Sequence, residues 1–228
     1  MSGSDERDDD LSVRRFVAAL ASLKDRGAAL LVVGAVPDRV HDRASRRLLG
    51  DRTQVRRRLL VATDADPGYA IDHFGGAGRG DLRVVRHRTG SRSSAVGAHL
   101  APESAAVDVT TTDDLTSLGT AVLDAVREFD RAADGLDAAE LRVGVNSLAP
   151  LLDHDDLVLF RFLHLLTGVV RNADGLVHVT LPVARDARVV RLLEPLFDGL
   201  VELRVTDEGP EQRWDLWQPD HPSAWLPV

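Results

Sequence analysis

Four short stretches of the chain, AALLVVG (28–34), RRRLLVA (56–62), ELRVGV (140–145) and LVHVTLP (176–182), place apolar residues at consecutive rather than alternate positions. A strand built this way has both faces in the core, which requires a sheet covered by helices on both sides. The intervening segments supply those helices. Leu11, Phe16, Val17, Leu20 and Leu23 fall on one helical stripe closed by Gly27, and Leu115, Leu118, Val122, Val126 and Phe129 on another. Asp38 is placed to cap a helix that stops at Gly50, and DHDDLVLFRFLHLLTGVVRNADG (153–175) reads as a long apolar helix. DARVVRLLEPLF (186–197) reads as a shorter one. The expected architecture is a doubly wound α/β domain with a mainly parallel sheet.

Elsewhere the pattern is less regular. DLRVVRHR (81–88) reads as a third strand and DPGYAIDHF (66–74) as a short helix, with Gly- and Ser-rich loops at 74–80 and 88–104. GLVELRVTDEGPEQRWDLWQ (199–218) reads as an antiparallel hairpin around a Gly-Pro turn. Residues 1–10, MSGSDERDDD, read as a disordered acidic tail, residues 11–217 as the domain, and 218–228 as a C-terminal tail. Trp214 and Trp217, three apart on a strand, are expected on opposite faces of the sheet. Trp225 belongs to a tail expected to pack on its own domain.

Composition narrows the chemistry. There is no cysteine, so disulfides, thiolate metal sites and cysteine nucleophiles are excluded. The formal charge of −8 argues against a globally basic nucleic-acid binder. Lys24 is the only lysine among 28 basic residues, and aspartate outnumbers glutamate. That bias suits a GC-rich, halophilic source, and the absence of a long apolar run suits a cytoplasmic protein with no membrane span.

The order of these elements, together with LLVVG (30–34), LRVGVNSLAPLL (141–152) and LEPLFDGLVELR (193–204), resembles the RecA-like P-loop ATPases of the KaiC type, in particular small archaeal single-domain members. The resemblance spans about residues 11–217 and is most specific over 141–205. It implies a RecA-like fold with a phosphate-binding loop after the first strand, G-x-x-x-x-G-K-[ST], and a magnesium-binding aspartate after a later one. Gly34 matches the first glycine. Arg39 stands at the second glycine, Val40 at the lysine and His41 at the Ser/Thr, while Asn146, followed by Ser147, stands at the aspartate. Pro37 removes a backbone donor, and the Asp38 carboxylate occupies a helix start that an anionic phosphate would need. The carboxylate that would activate water is implied at Asp64 or Asp66.

The resemblance therefore implies a pseudo-ATPase without a bound cofactor, acting through a protein partner or as a homo-oligomer. An alternative is weak ATP and magnesium binding supported by Arg39 and Arg43. Another is an accessory role on DNA through the basic patch Arg79, Arg83, Arg86, Arg88 and Arg92, for which salt bridging to aspartates is the competing reading. His154, among Asp153, Asp155 and Asp156, suggests either a metal site or helix capping, with capping favoured. His164 and His178 are expected as hydrogen-bonded core histidines.

Overall fold

The structure is a computed structural model, and it describes residues 5–50, 53–63, 82–88, 107–217 and 221–228. The chain begins with α1 (Asp5–Asp25), followed by β1 (Ala28–Val33), α2 (Asp38–Leu48), β2 (Arg57–Ala62), β3 (Leu82–His87) and β4 (Asp108–Thr112). Next come α3 (Leu115–Ala133), β5 (Leu141–Val145), α4 (Asp156–Asn172), β6 (Leu176–Leu181) and α5 (Arg188–Leu193). The hairpin β7 (Gly199–Thr206) and β8 (Gly209–Leu216) follows, with two short strands, β9 (His221–Pro222) and β10 (Leu226–Pro227).

These strands form one sheet in the order β10-β8-β7-β1-β6-β5-β2-β3-β4, with β9 also on β8. From β7 to β4 all neighbours are parallel; β8, β9 and β10 add the antiparallel edge. The consecutive apolar runs behave as their pattern demands, since every residue of β1, β5 and β6 is buried. Ala29, Leu31 and Val33 face α3, α4 and α5, while Ala28, Leu30 and Val32 face α1 and α2. Each fully buried Leu in these layers contributes roughly 1.5–3 kcal/mol relative to exposure.

The helix boundaries follow local chemistry. Asp114 caps α3, its side chain accepting from the amides of Thr116 and Ser117, and Asp155 caps α4 by accepting from Leu157 and Val158. The capping reading of the aspartates around His154 is thus the one observed. Asp38 does not cap α2: it is the first helical residue, after Pro37, and its carboxylate sits where the helix dipole favours it.

Three other expectations differ from what is seen, and one strand, β4, was not expected. α1 starts at Asp5, within the segment read as a disordered tail; acidic residues in a first turn suit a helix. The strand β4, DVTTT, lacked an apolar run because four of its five residues are exposed at the sheet edge. The hairpin turns at Asp207-Glu208, so Gly209 and Pro210 open β8 instead of forming the turn. His164 is exposed on α4, since Phe162, Leu163 and Leu166 take the buried face.

The tail is integral to the sheet edge. Val228 is buried, Arg47 donates to the Pro227 carbonyl at 2.9 Å, and Arg204 and Arg213 lie over the Trp225 ring at 3.8 and 4.8 Å. Trp214 packs edge-on to Phe16, and Trp217 reaches the opposite face and donates to the Phe197 carbonyl, as strand geometry requires. Among the described residues no helix is long and apolar enough to cross a membrane.

Candidate functional site

In an open α/β sheet, ligands favour the carboxyl ends of strands where successive connections leave to opposite faces. β1 and β6 meet this condition, because β1 leads to α2 on one face and β6 to α5 on the other. Gly34 ends β1, and Asn146 ends β5 on the other side of β6.

The connection from β1 to α2 is only Gly34–Pro37, four residues. Gly34 has φ +149°, and a Cβ there would lie 2.5 Å from the Leu203 carbonyl oxygen, so β7 packs against it too closely for any side chain. Its N–H donates to the Val183 carbonyl at 2.8 Å. Its carbonyl accepts from His41 Nε2 at 2.9 Å. Both polar groups of the glycine at the start of the loop are engaged within the protein.

Helix α2 starts at Asp38, so Arg39, Val40 and His41, the positions that the resemblance sets against a phosphate grip, are helical. Val40 is buried in the apolar layer beneath α2 with Ala44 and Leu48, and the Val40 N–H donates to the Pro37 carbonyl at 2.8 Å. His41 is buried; burial pushes its imidazole below the ordinary value, partly opposed by the bond to Gly34 and by Asp38 and Asp42. The neutral ring carries its proton on Nε2, where the Gly34 bond needs it. Pro37, Asp38 and Arg39 are exposed, as is Arg43 one turn on.

At the end of β5, Asn146 does not offer its oxygen to the crevice. Its Oδ1 accepts from the Thr63 amide at 2.9 Å and the Thr63 hydroxyl at 3.1 Å, joining the ends of β5 and β2. Ser147 is buried, and its hydroxyl accepts from the Ala149 amide at 3.3 Å, just before the short 3-10 turn Ala149–Leu151. Asp64 and Asp66 lie outside the described residues.

The arginine stretch is largely neutralised where it is described. Arg83 pairs with Asp108 at 3.1 Å and with Glu128, and lies over the Phe129 ring. Arg88 pairs with Asp113 at 2.9 Å, and Arg86 is half-buried on β3. Arg79 and Arg92 lie outside the described residues. The structure therefore favours salt bridging at the two arginines whose partners are visible.

His178 is the hydrogen-bonded core histidine that the sequence led one to expect, whereas His87, Arg58 and Arg142 are buried polar groups that the sequence reading did not single out. His178 on β6 bonds Ser45 of α2 at 2.6 Å, and complete burial, aided by Arg142, pushes its imidazole down to about 3. His87 ends β3 with both ring nitrogens buried and unpartnered among the described residues, its ring 5.6 Å from that of His154. Arg58 and Arg142 are register neighbours on β2 and β5, and both are buried. Their signal was a charged residue inside a strand with both faces covered, where an aliphatic residue is the rule. Among the described residues no group of three or more His, Asp or Glu is placed to hold a metal ion.

The fold and this crevice define the class: an α/β protein with a mostly parallel sheet, compatible with a Rossmann- or RecA-like fold. A model for a family of unknown function, DUF7504, matches residues 27–203, and the chain belongs to that family. No curated protein matches it.

Proposed function

We propose that this chain is a RecA/KaiC-like domain that retains the fold of a nucleotide hydrolase without its chemistry, and acts as a regulatory or scaffolding module through protein contacts. The observation that carries the reading is the four-residue connection after β1, closed from inside by His41 on the Gly34 carbonyl. A phosphate cradle needs a loop whose amides converge on an anion and a cation reaching its terminal oxygens. Here Val40 points into the core where that cation would stand, and the Asp38 carboxylate lies at the helix start. Asn146, in place of a magnesium-binding carboxylate, brings no charge and is turned to Thr63.

Three features of the surface support a role through contacts. Leu157, Leu192 and Val205 are large apolar residues left more than half exposed on α4, α5 and β7. A homo-oligomer or a complex with an active relative of the same fold would cover such residues.

The test is calorimetric titration with ATP, with and without magnesium, in dilute and concentrated potassium chloride, alongside an assay of phosphate release. No turnover, and no binding sensitive to replacement of Arg39 or Arg43, is the expected result. Magnesium-dependent turnover by pure protein would overturn it.

A further inference from the structure

At the opposite, amino-terminal edge of the sheet lies a cavity of about 410 Å³ between the end of α1, the end of α2, the starts of β5 and β6, and β8. Four cationic side chains line it, Lys24, Arg47, Arg56 and Arg142, and among the described residues no carboxylate does. Leu20, Leu48, Leu176 and Trp214 form its apolar walls.

Arg142 is the unusual member. It is only 5% exposed, and its Nε has no hydrogen-bond partner among the described residues. Its charged neighbours are Arg56 and Arg58, which repel it, and burial and this repulsion lower its guanidinium to about 10. Arg56 donates through Nη1 to the Ala139 carbonyl at 2.8 Å and through Nη2 to Gln54, yet its Nε is likewise buried without a partner. Buried guanidinium groups are retained where an anion meets them, because an unpaired buried charge is strongly destabilising.

We propose that this cavity binds a small phosphorylated organic molecule, its phosphate held by Arg142 and Arg56, with Arg47 and Lys24 at the rim and its apolar body against Trp214. A phosphate dianion matches four cations better than a carboxylate does, and its oxygens match the guanidinium fork. The volume exceeds what a bare phosphate fills and lies in the range of small-molecule sites. The site is independent of the crevice at Gly34 and of whether ATP is hydrolysed.

Phenyl phosphate, inorganic phosphate and benzoate serve as probes, followed by calorimetry and by tryptophan fluorescence in a Trp217→Phe, Trp225→Phe background that leaves Trp214 as the reporter. Phenyl phosphate should bind at least about tenfold more tightly than either of the others. Arg142→Met should abolish that binding while raising the melting temperature of the unliganded protein, since it removes a buried charge that no described residue balances. Lys24→Ala, at the rim, should leave the fold intact and weaken binding severalfold, and Arg47→Ala should weaken it likewise while also removing its hydrogen bond to the Pro227 carbonyl. Absence of phenyl phosphate binding, tighter binding of benzoate, or unchanged affinity in Arg142→Met and Arg47→Ala would each overturn the proposal. A fall in melting temperature for Arg142→Met would also overturn it, by showing that Arg142 is balanced within the protein. Any heat from ATP that disappears in Arg142→Met belongs to this cavity and not to the loop after β1.

Discussion

His41 donates its Nε2 proton to the carbonyl of Gly34 across 2.9 Å, tying the first turn of α2 to the end of β1. Under the proposed reading, the residue standing in for a metal-binding hydroxyl locks the loop shut. A single substitution toward the P-loop pattern leaves this local geometry in place.

Val40→Lys illustrates the point. Val40 is 4% exposed in the layer between α2 and the sheet, so a lysine there buries an unpaired ammonium group. The expected outcome is a loss of about 3–5 kcal/mol, read by urea denaturation, with no gain of ATP hydrolysis. A folded variant that hydrolyses ATP would contradict the placement of Val40.

Asn146→Ala removes the acceptor shared by the Thr63 amide and hydroxyl at the ends of β2 and β5. The Thr63 hydroxyl keeps the Ser147 carbonyl at 2.5 Å, so the cost, about 1–3 kcal/mol, falls on the amide left without its acceptor. The urea midpoint should fall without a change in the slope of the transition.

Gly34→Ala places a methyl group 2.5 Å from the Leu203 carbonyl oxygen at a φ of +149°. Backbone oxygen gives way only by shifting β7. The substitution should therefore lower the melting temperature more than Gly135→Ala, where a Cβ meets nothing within 4 Å at a φ of +105°. Equal effects in thermal melts would show that strain, without the contact, decides the cost at Gly34.

Stability should fall with acid. His178, His41 and His87 all have folded-state values below the ordinary 6.5, through burial first. The unfolded chain therefore binds more protons than the folded one below pH 6.5, and stability, fully present above that value, is lost as pH falls towards about 3, the value for His178. His178 alone gives a slope approaching roughly 1.4 kcal/mol per pH unit. Urea midpoints measured across this window should show that slope, and His178→Gln should flatten it.

Burial on both sides was legible in the runs at 28–33, 141–145 and 176–181, because a strand without polar alternation has nowhere to sit except inside a covered sheet. The Asp155 cap was legible as well, since capping is a contact over two or three residues. His164 was misplaced because a helix turns about 100° per residue, so two positions beyond Phe162 already faces solvent. β4 was missed because an exposed edge strand carries no apolar run.

By itself the sequence determined the layered α/β class, the residue types at Val40, His41 and Asn146 on which the proposed reading rests, and the absence of cysteine chemistry, all of which depend on residue type and local spacing. Tertiary structure alone decided that His41 closes on Gly34, that Asn146 turns to Thr63, and that Arg142 and Arg56 meet Lys24 and Arg47 around one cavity. These contacts join segments whose relative positions are set by the order of strands in the sheet, and a one-dimensional pattern holds no record of which strand lies beside which.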